Sequence, residues 1–167
     1  TGYGFGPLST TMCGFPHFKN IEFEGRYPMA KITFSDEDFP ADIELEAYNP
    51  FIPHDDFNSS IPCAMFLWDV ENVTDTDTEY SLAFSVQNPN SVSINKAFDK
   101  GIFFGCGDKD DSQIDYTDLC VLTDSQCDIQ AYWYRGGWMD PVTTYFKNMG
   151  EISLPKREYE NSGKNDH

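Results

Sequence analysis

The sequence predicts an all-β protein, an antiparallel two-sheet β-sandwich with one short helix near residues 140–149. Three observations carry that expectation: two-residue alternation of apolar and polar side chains, turn-rich connectors, and an aromatic content of 16% drawn mostly from Phe and Tyr. In Asp42–Tyr48, Ile43, Leu45 and Ala47 alternate with Asp42, Glu44 and Glu46, the pattern of a half-buried strand. Ala30, Ile32 and Phe34 form a similar stripe just before it, and Ser35–Asp42 between them has turn chemistry. Residues 28–48 therefore predict strand, loop, strand.

The run from Cys63 to Val70 is almost wholly apolar, which predicts a strand covered on both faces. After the polar connector Asn72–Thr78, Tyr80, Leu82, Phe84 and Val86 alternate with small polar residues, so 63–70 and 80–86 are expected to pair as a hairpin. Asn88-Pro-Asn-Ser91 ends it. Further short strands are expected near 101–105, 117–122 and 128–134. Only 140–149 invites a helix, with Asp140 as cap and Pro141 in the first turn. The sandwich is expected over residues 1–155, followed by a flexible tail at 156–167.

The 167 residues carry 28 acids and 11 Lys+Arg, a net charge of −17. No basic patch offers itself to a nucleic-acid backbone, so no nucleic-acid partner is expected. The longest apolar stretch, Ile61–Trp68, is too short to span a bilayer. Acidic disordered chains are poor in aromatics and this one is not. The chain opens on Thr1 with no leader, as a cut or processed piece would. Five cysteines (13, 63, 106, 120 and 127) at irregular spacing, with no CxxC, favour a reduced, cytoplasmic setting, with one disulfide in the 106–127 region as the alternative.

Candidate chemistry is sparse. Close acid pairs such as Asp55/Asp56 and Asp110/Asp111 are expected by chance among 28 acids, and solvated surface is their default role. The loop Asp108–Asp115 clusters four acids but lacks the Gly and Glu of an EF-hand, so no metal is expected. The same holds for Asp75, Asp77 and Glu79. His17, His54 and His167 stand apart with no nucleophile elbow, and His17 is expected to make structural hydrogen bonds. Gly2–Pro7 has neither a strand before it nor a helix after it, so it is not a phosphate loop. No cofactor is expected. Asn58-Ser-Ser60 and Asn72-Val-Thr74 match the N-glycosylation acceptor, which matters only in a secreted protein. The aromatic turn Ala131–Met139 is the better lead: Trp133, Tyr134 and Trp138 are candidates for sugar stacking, or for packing in the core or against another domain.

Six strings occur in order: Gly2-Tyr-Gly-Phe-Gly-Pro7, Gly14-Phe-Pro-His-Phe-Lys19, Phe34-Ser-Asp-Glu-Asp-Phe-Pro40, Ala47-Tyr-Asn-Pro-Phe-Ile-Pro-His54, Ser59-Ser-Ile-Pro62 and Trp68-Asp-Val-Glu-Asn72. Together they resemble the N-terminal β-domain of glycoside hydrolase family 116, which includes non-lysosomal glucosylceramidase and bacterial β-glucosidases. The likeness continues more loosely through Tyr134-Arg-Gly-Gly-Trp138 and Arg157-Glu-Tyr159. It implies a sandwich of the super-sandwich type beside an (α/α)6 toroid in the same polypeptide, and a retaining mechanism on β-linked glucose. The family's catalytic carboxylates lie in the toroid, so the resemblance carries no catalytic residue onto this chain. Relatives have further strands before and after this stretch. The sandwich is therefore expected to be incomplete, with exposed strand edges. The alternatives are a stand-alone carbohydrate-binding module and a purely structural interaction domain.

Overall fold

In a computed structural model of the chain, the structure describes residues 15–137, 140–151 and 154–159. It is all-β in class, with two antiparallel sheets of four and three strands and little helix. The chain divides into two compact units, residues 15–80 and the described residues from 81 onward.

The first unit is built on β1 (Asn20–Arg26), β2 (Met29–Ser35), β3 (Ala41–Tyr48) and β4 (Met65–Asn72), hydrogen-bonded in that order. The predicted strand, loop and strand over 28–48 are β2 and β3. Their register follows from alternation, because a slip of one residue would carry every apolar side chain to the opposite face. Phe23, Ile32, Leu45 and Trp68 lie side by side across the four strands, with Ile21, Phe34, Ile43 and Val70 in a flanking row. The other face carries Glu22, Thr33, Glu44 and Asp69 in one row and Glu24, Lys31, Glu46 and Leu67 in the next. Lys31 Nζ reaches Glu44 Oε2 at 2.6 Å across that face. Leu45 and Ala41 are the buried apolar side chains of this unit.

β4 departs from expectation. It is an edge strand pairing with β3, and Met65, Phe66, Leu67 and Val70 are exposed, so the apolar run is not covered on both faces. Nor does it form a hairpin with 80–86, which is irregular. The connector explains why. Asn72 Oδ1 accepts from Thr74 N at 3.0 Å and from Thr74 Oγ1 at 2.8 Å, while Asn72 Nδ2 donates to Thr76 O at 2.8 Å. These local bonds compete with a ladder. They turn the chain so that Tyr80 donates its hydroxyl to Pro40 O at 2.7 Å, across the end of β3. Phe39 packs between Phe18 and Tyr80, with ring centroids at 5.1 and 6.4 Å. The long connection from β3 to β4 holds a single helical turn, α1 (Asp56–Ser59).

In the second unit, β5 (Ser93–Phe98), β6 (Gly101–Cys106) and β7 (Leu119–Leu122) form a three-stranded sheet. β6 and β7 lie in the predicted 101–105 and 117–122 segments, whereas β5, like β1, is not among the predicted strands. At Gly101 a Cβ would stand 2.3 Å from Val121 O, so only glycine permits the β6–β7 approach. Asn88 is buried and donates to Asn95 Oδ1 at 2.8 Å and to Gly105 O at 3.1 Å, tying the loop before β5 to the sheet. The predicted strand at 128–134 is absent, because its backbone is claimed by side chains. Ala131 O accepts from Asn95 Nδ2 at 2.7 Å and Trp133 O from Tyr159 OH at 3.3 Å. The predicted helix is α2 (Asp140–Gly150), with Asp140 and Pro141 in its first turn and Val142 buried. Cys63, Cys106, Cys120 and Cys127 are free thiols, so the 106–127 disulfide alternative does not hold. Cys13 lies outside the described residues.

Leu45→Ala is expected to lower stability by about 2–4 kcal/mol, since the central row collapses only partly around the lost side chain. Urea unfolding measures it, with Ile114→Ala at a fully exposed position as the control expected to leave the midpoint unchanged.

Candidate functional site

The aromatic lead at 131–139 resolves into two separate arrangements. Trp133 lies flat on Tyr145 of α2, with centroids 4.3 Å apart and planes 13° from parallel, so one face of the indole is already covered. Burial pushes the Tyr145 hydroxyl pKa up. Tyr134, the next residue, is exposed and stands under the Arg157 guanidinium at 5.8 Å. Of the three candidates, Trp133 and Tyr134 thus meet different neighbours, Tyr145 and Arg157. Trp138 lies outside the described residues.

Tyr132, in the same aromatic turn, is the buried member. Its hydroxyl accepts from Asn95 N at 3.0 Å on the edge of β5. Its ring meets Tyr159 edge-on at 5.6 Å. Arg135 places its guanidinium 3.9 Å from the Tyr159 centroid and 5.4 Å from that of Tyr132. Such cation–π contacts contribute about 0.5–2 kcal/mol according to how dry they are. The Tyr159 hydroxyl accepts from Arg135 N and donates to Trp133 O, both at 3.3 Å. Gln130 Nε2 donates to Pro155 O at 2.7 Å. Residues 155–159 are thus laid along 130–135. The Arg157-Glu-Tyr159 string was the one sequence signal for this partner segment.

The close acid pairs have local duties. Asp55 caps α1: Oδ1 accepts from Asn58 N at 3.0 Å and Oδ2 from Asn58 Nδ2 at 2.6 Å, and these bonds hold its carboxyl below the usual range. Asp110 is held low by the Ser112 hydroxyl and amide, which both donate to Oδ1. Asp115 is held low by Lys109, whose Nζ stands 2.7 Å from Oδ2. Lys19 gathers Asp36, Glu37 and Asp38 at 3.2, 3.4 and 2.5 Å. Among the described residues, no group of three or more His, Cys, Asp or Glu is placed to hold a metal ion. His17 Nδ1 pairs with Phe15 O at 2.6 Å, the structural role expected of it. His54 is exposed in the loop before α1, and His167 lies outside the described residues. These acids form caps, turns and surface pairs.

Comparison with known families settles what the chain is. The family described as beta-glucosidase 2, glycosyl-hydrolase family 116 N-term, matches residues 7–161 of the 167. The chain belongs to that family. The match takes in every quoted string after the first, and it also covers the 130–135 and 155–159 segments that pack together. Membership in the family 116 N-terminal group implies a catalytic domain in the full protein. Among the described residues, no helix is long and apolar enough to cross a membrane.

Two predictions follow from this geometry. Tyr132→Phe leaves the buried Asn95 amide without its acceptor and is expected to cost about 1–3 kcal/mol, read by urea unfolding. Ser112→Ala removes the hydroxyl that lowers Asp110 most, so the Asp110 carboxyl moves up towards 3.8, followed by NMR titration. The sign is that of a depressed acid: what this carboxylate contributes is present above 3.8 and is lost as pH falls through its folded value.

Proposed function

We propose that this chain is a non-catalytic N-terminal β-domain of a retaining β-glycosidase of the β-glucosidase and glucosylceramidase kind, and that it supports a downstream (α/α)6 catalytic domain. The observation that carries the reading is the family 116 N-terminal match over residues 7–161. The acid chemistry supports it. A retaining glycosidase uses two carboxyl groups about 5–5.5 Å apart, one of them an acid with a raised pKa. Here Asp36, Asp55, Asp110 and Asp115 are all shifted downward by hydrogen bonds and lysines, which suits structural carboxylates and opposes a general acid. Choice among lipid glucosides, oligosaccharides and xylosides falls to the catalytic domain.

The carbohydrate-module alternative uses Trp133, Tyr134 and Trp138. It is the weaker reading, because Trp133 spends one face on Tyr145 and Tyr134 faces a different neighbour, Arg157.

The parent gene tests the proposal. Sequence beyond His167 is expected to encode the catalytic domain, and a stop codon there overturns the reading. The full-length protein is expected to hydrolyse an aryl β-glucoside, while the 167-residue chain alone does not. Turnover that co-purifies with the chain alone contradicts the non-catalytic role. For the sugar-module alternative, cello-oligosaccharides are titrated against Trp fluorescence, and no change at roughly millimolar sugar is expected.

A further inference from the structure

The polar face of the four-stranded sheet is unevenly neutralised. On its first three strands the register sets acids against a cation or a neutral group. Glu24 and Glu46 lie opposite Lys31, and Glu22 and Glu44 lie opposite Thr33. Between β3 and β4 the same face sets acid against acid, Asp42 opposite Glu71 and Glu44 opposite Asp69. Side chains directly opposite across antiparallel strands stand about 4.5–5.5 Å apart at Cβ, and like charges there destabilise the pairing.

The sequence explains the shortage of cations. Residues 15–80 hold 15 of the 28 acids but only three of the 11 Lys and Arg, namely Lys19, Arg26 and Lys31. No Lys or Arg falls between Lys31 and Lys96. Lys19 is taken by the 36–38 turn, and Lys31 reaches Glu44. Arg26 stands at the other end of the sheet, in the row with Met29, Tyr48 and Met65. Among the described residues, no cationic side chain forms an ion pair with Asp42, Asp69 or Glu71. Val73 N donates to Pro40 O at 3.2 Å just beyond the Asp42–Glu71 row, which keeps the facing acids in register. β4 is also an edge strand, joined to β3 by the loop 49–64, where short turns join β1 to β2 and β2 to β3. Closing a longer loop costs more chain entropy, so β4 gains least from its connection.

We infer that the β3–β4 ladder is a salt-sensitive element of the fold, loosened at low ionic strength by its own facing acids and tightened as mobile counter-ions screen them. The screening length falls from about 30 Å at 0.01 M salt to about 3 Å at 1 M, a range that brackets the separation of facing side chains. Around Lys31 the effect has the opposite sign, because salt weakens its attraction for Glu24, Glu44 and Glu46. A general stabilisation of the chain by salt would move all three ladders together. Screening of the facing acids moves the β3–β4 ladder ahead of the others.

Amide hydrogen exchange of the 167-residue chain tests this, read by peptide mass spectrometry at one pH in roughly 0.01 M and roughly 1 M sodium chloride. From the lower to the higher salt, exchange over β4 is expected to slow about three- to tenfold more than over β1, the opposite edge strand. Choline chloride is expected to act as sodium chloride does, since screening does not depend on which monovalent cation is present. Asp69→Asn combined with Glu71→Gln is expected to slow β4 exchange at the lower salt and to remove most of the salt response. Equal slowing over β1 and β4, a response confined to one of the two cations, or a double variant that behaves as the unsubstituted chain overturns the inference.

Discussion

The row formed by Phe23, Ile32, Leu45 and Trp68 is the constraint on which the first unit depends. Its residues come from four strands that hydrogen-bond only to their neighbours, and the register that aligns them places the acids of β1, β3 and β4 on the opposite face. That segregation is what allows a chain with 28 acids to assemble a sheet at all. Were the register to slip by one residue, Glu44 and Glu46 would replace Leu45 in the apolar layer, and burying an unpaired carboxylate costs several kcal/mol. The loops inherit their positions from this row. The Tyr80 hydroxyl closes on Pro40 where the start of β3 meets the end of β4, and the loop carrying Phe57 projects from the other end because Tyr48 and Met65 are partners.

Charge is handled locally throughout. Lys19, Lys31 and Lys109 each sit among carboxylates and are held protonated by them, their pKa values raised chiefly by hydrogen bonds to Asp38, Glu44 and Asp115. These pairs are exposed, so their share of the stability is small and screened by salt. Their main effect is to fix loop geometry, as at 108–115, where Lys109, Ser112 and Gln113 close the turn on its own acids.

Alternation was legible where each residue faced one environment. β2 and β3 lie in the interior of the sheet, and α2 begins at the Asp-Pro pair that announces it. β1 was missed because its alternation, Ile21, Phe23 and Gly25 against Glu22 and Glu24, is short and ends in a glycine. The hairpin assigned to 63–86 failed for a different reason: periodicity specifies that a strand forms, not which strand it joins. The connector's side-chain bonds to its own backbone, at Asn72 and Thr74, are invisible to a hydropathy pattern. At 128–134 the alternation is real, but β5 and Tyr159 consume the backbone groups a ladder would need. The candidate site was half legible. The aromatic residues could be named from sequence, yet their pairing with 155–159 joins segments more than twenty residues apart, and no local rule connects them.

The Tyr132–Arg135–Tyr159 stack also has a mechanical meaning. A pull along the chain at residue 159 meets the Arg135 guanidinium and the Trp133 carbonyl first, then the Tyr132 ring, and through its hydroxyl the edge of β5. The load reaches the sheet through a relay of side chains, with no backbone ladder between. The attachment of residues 155–159 is thus made of separate side-chain contacts, each much weaker than the ladder of the sheet to which they lead.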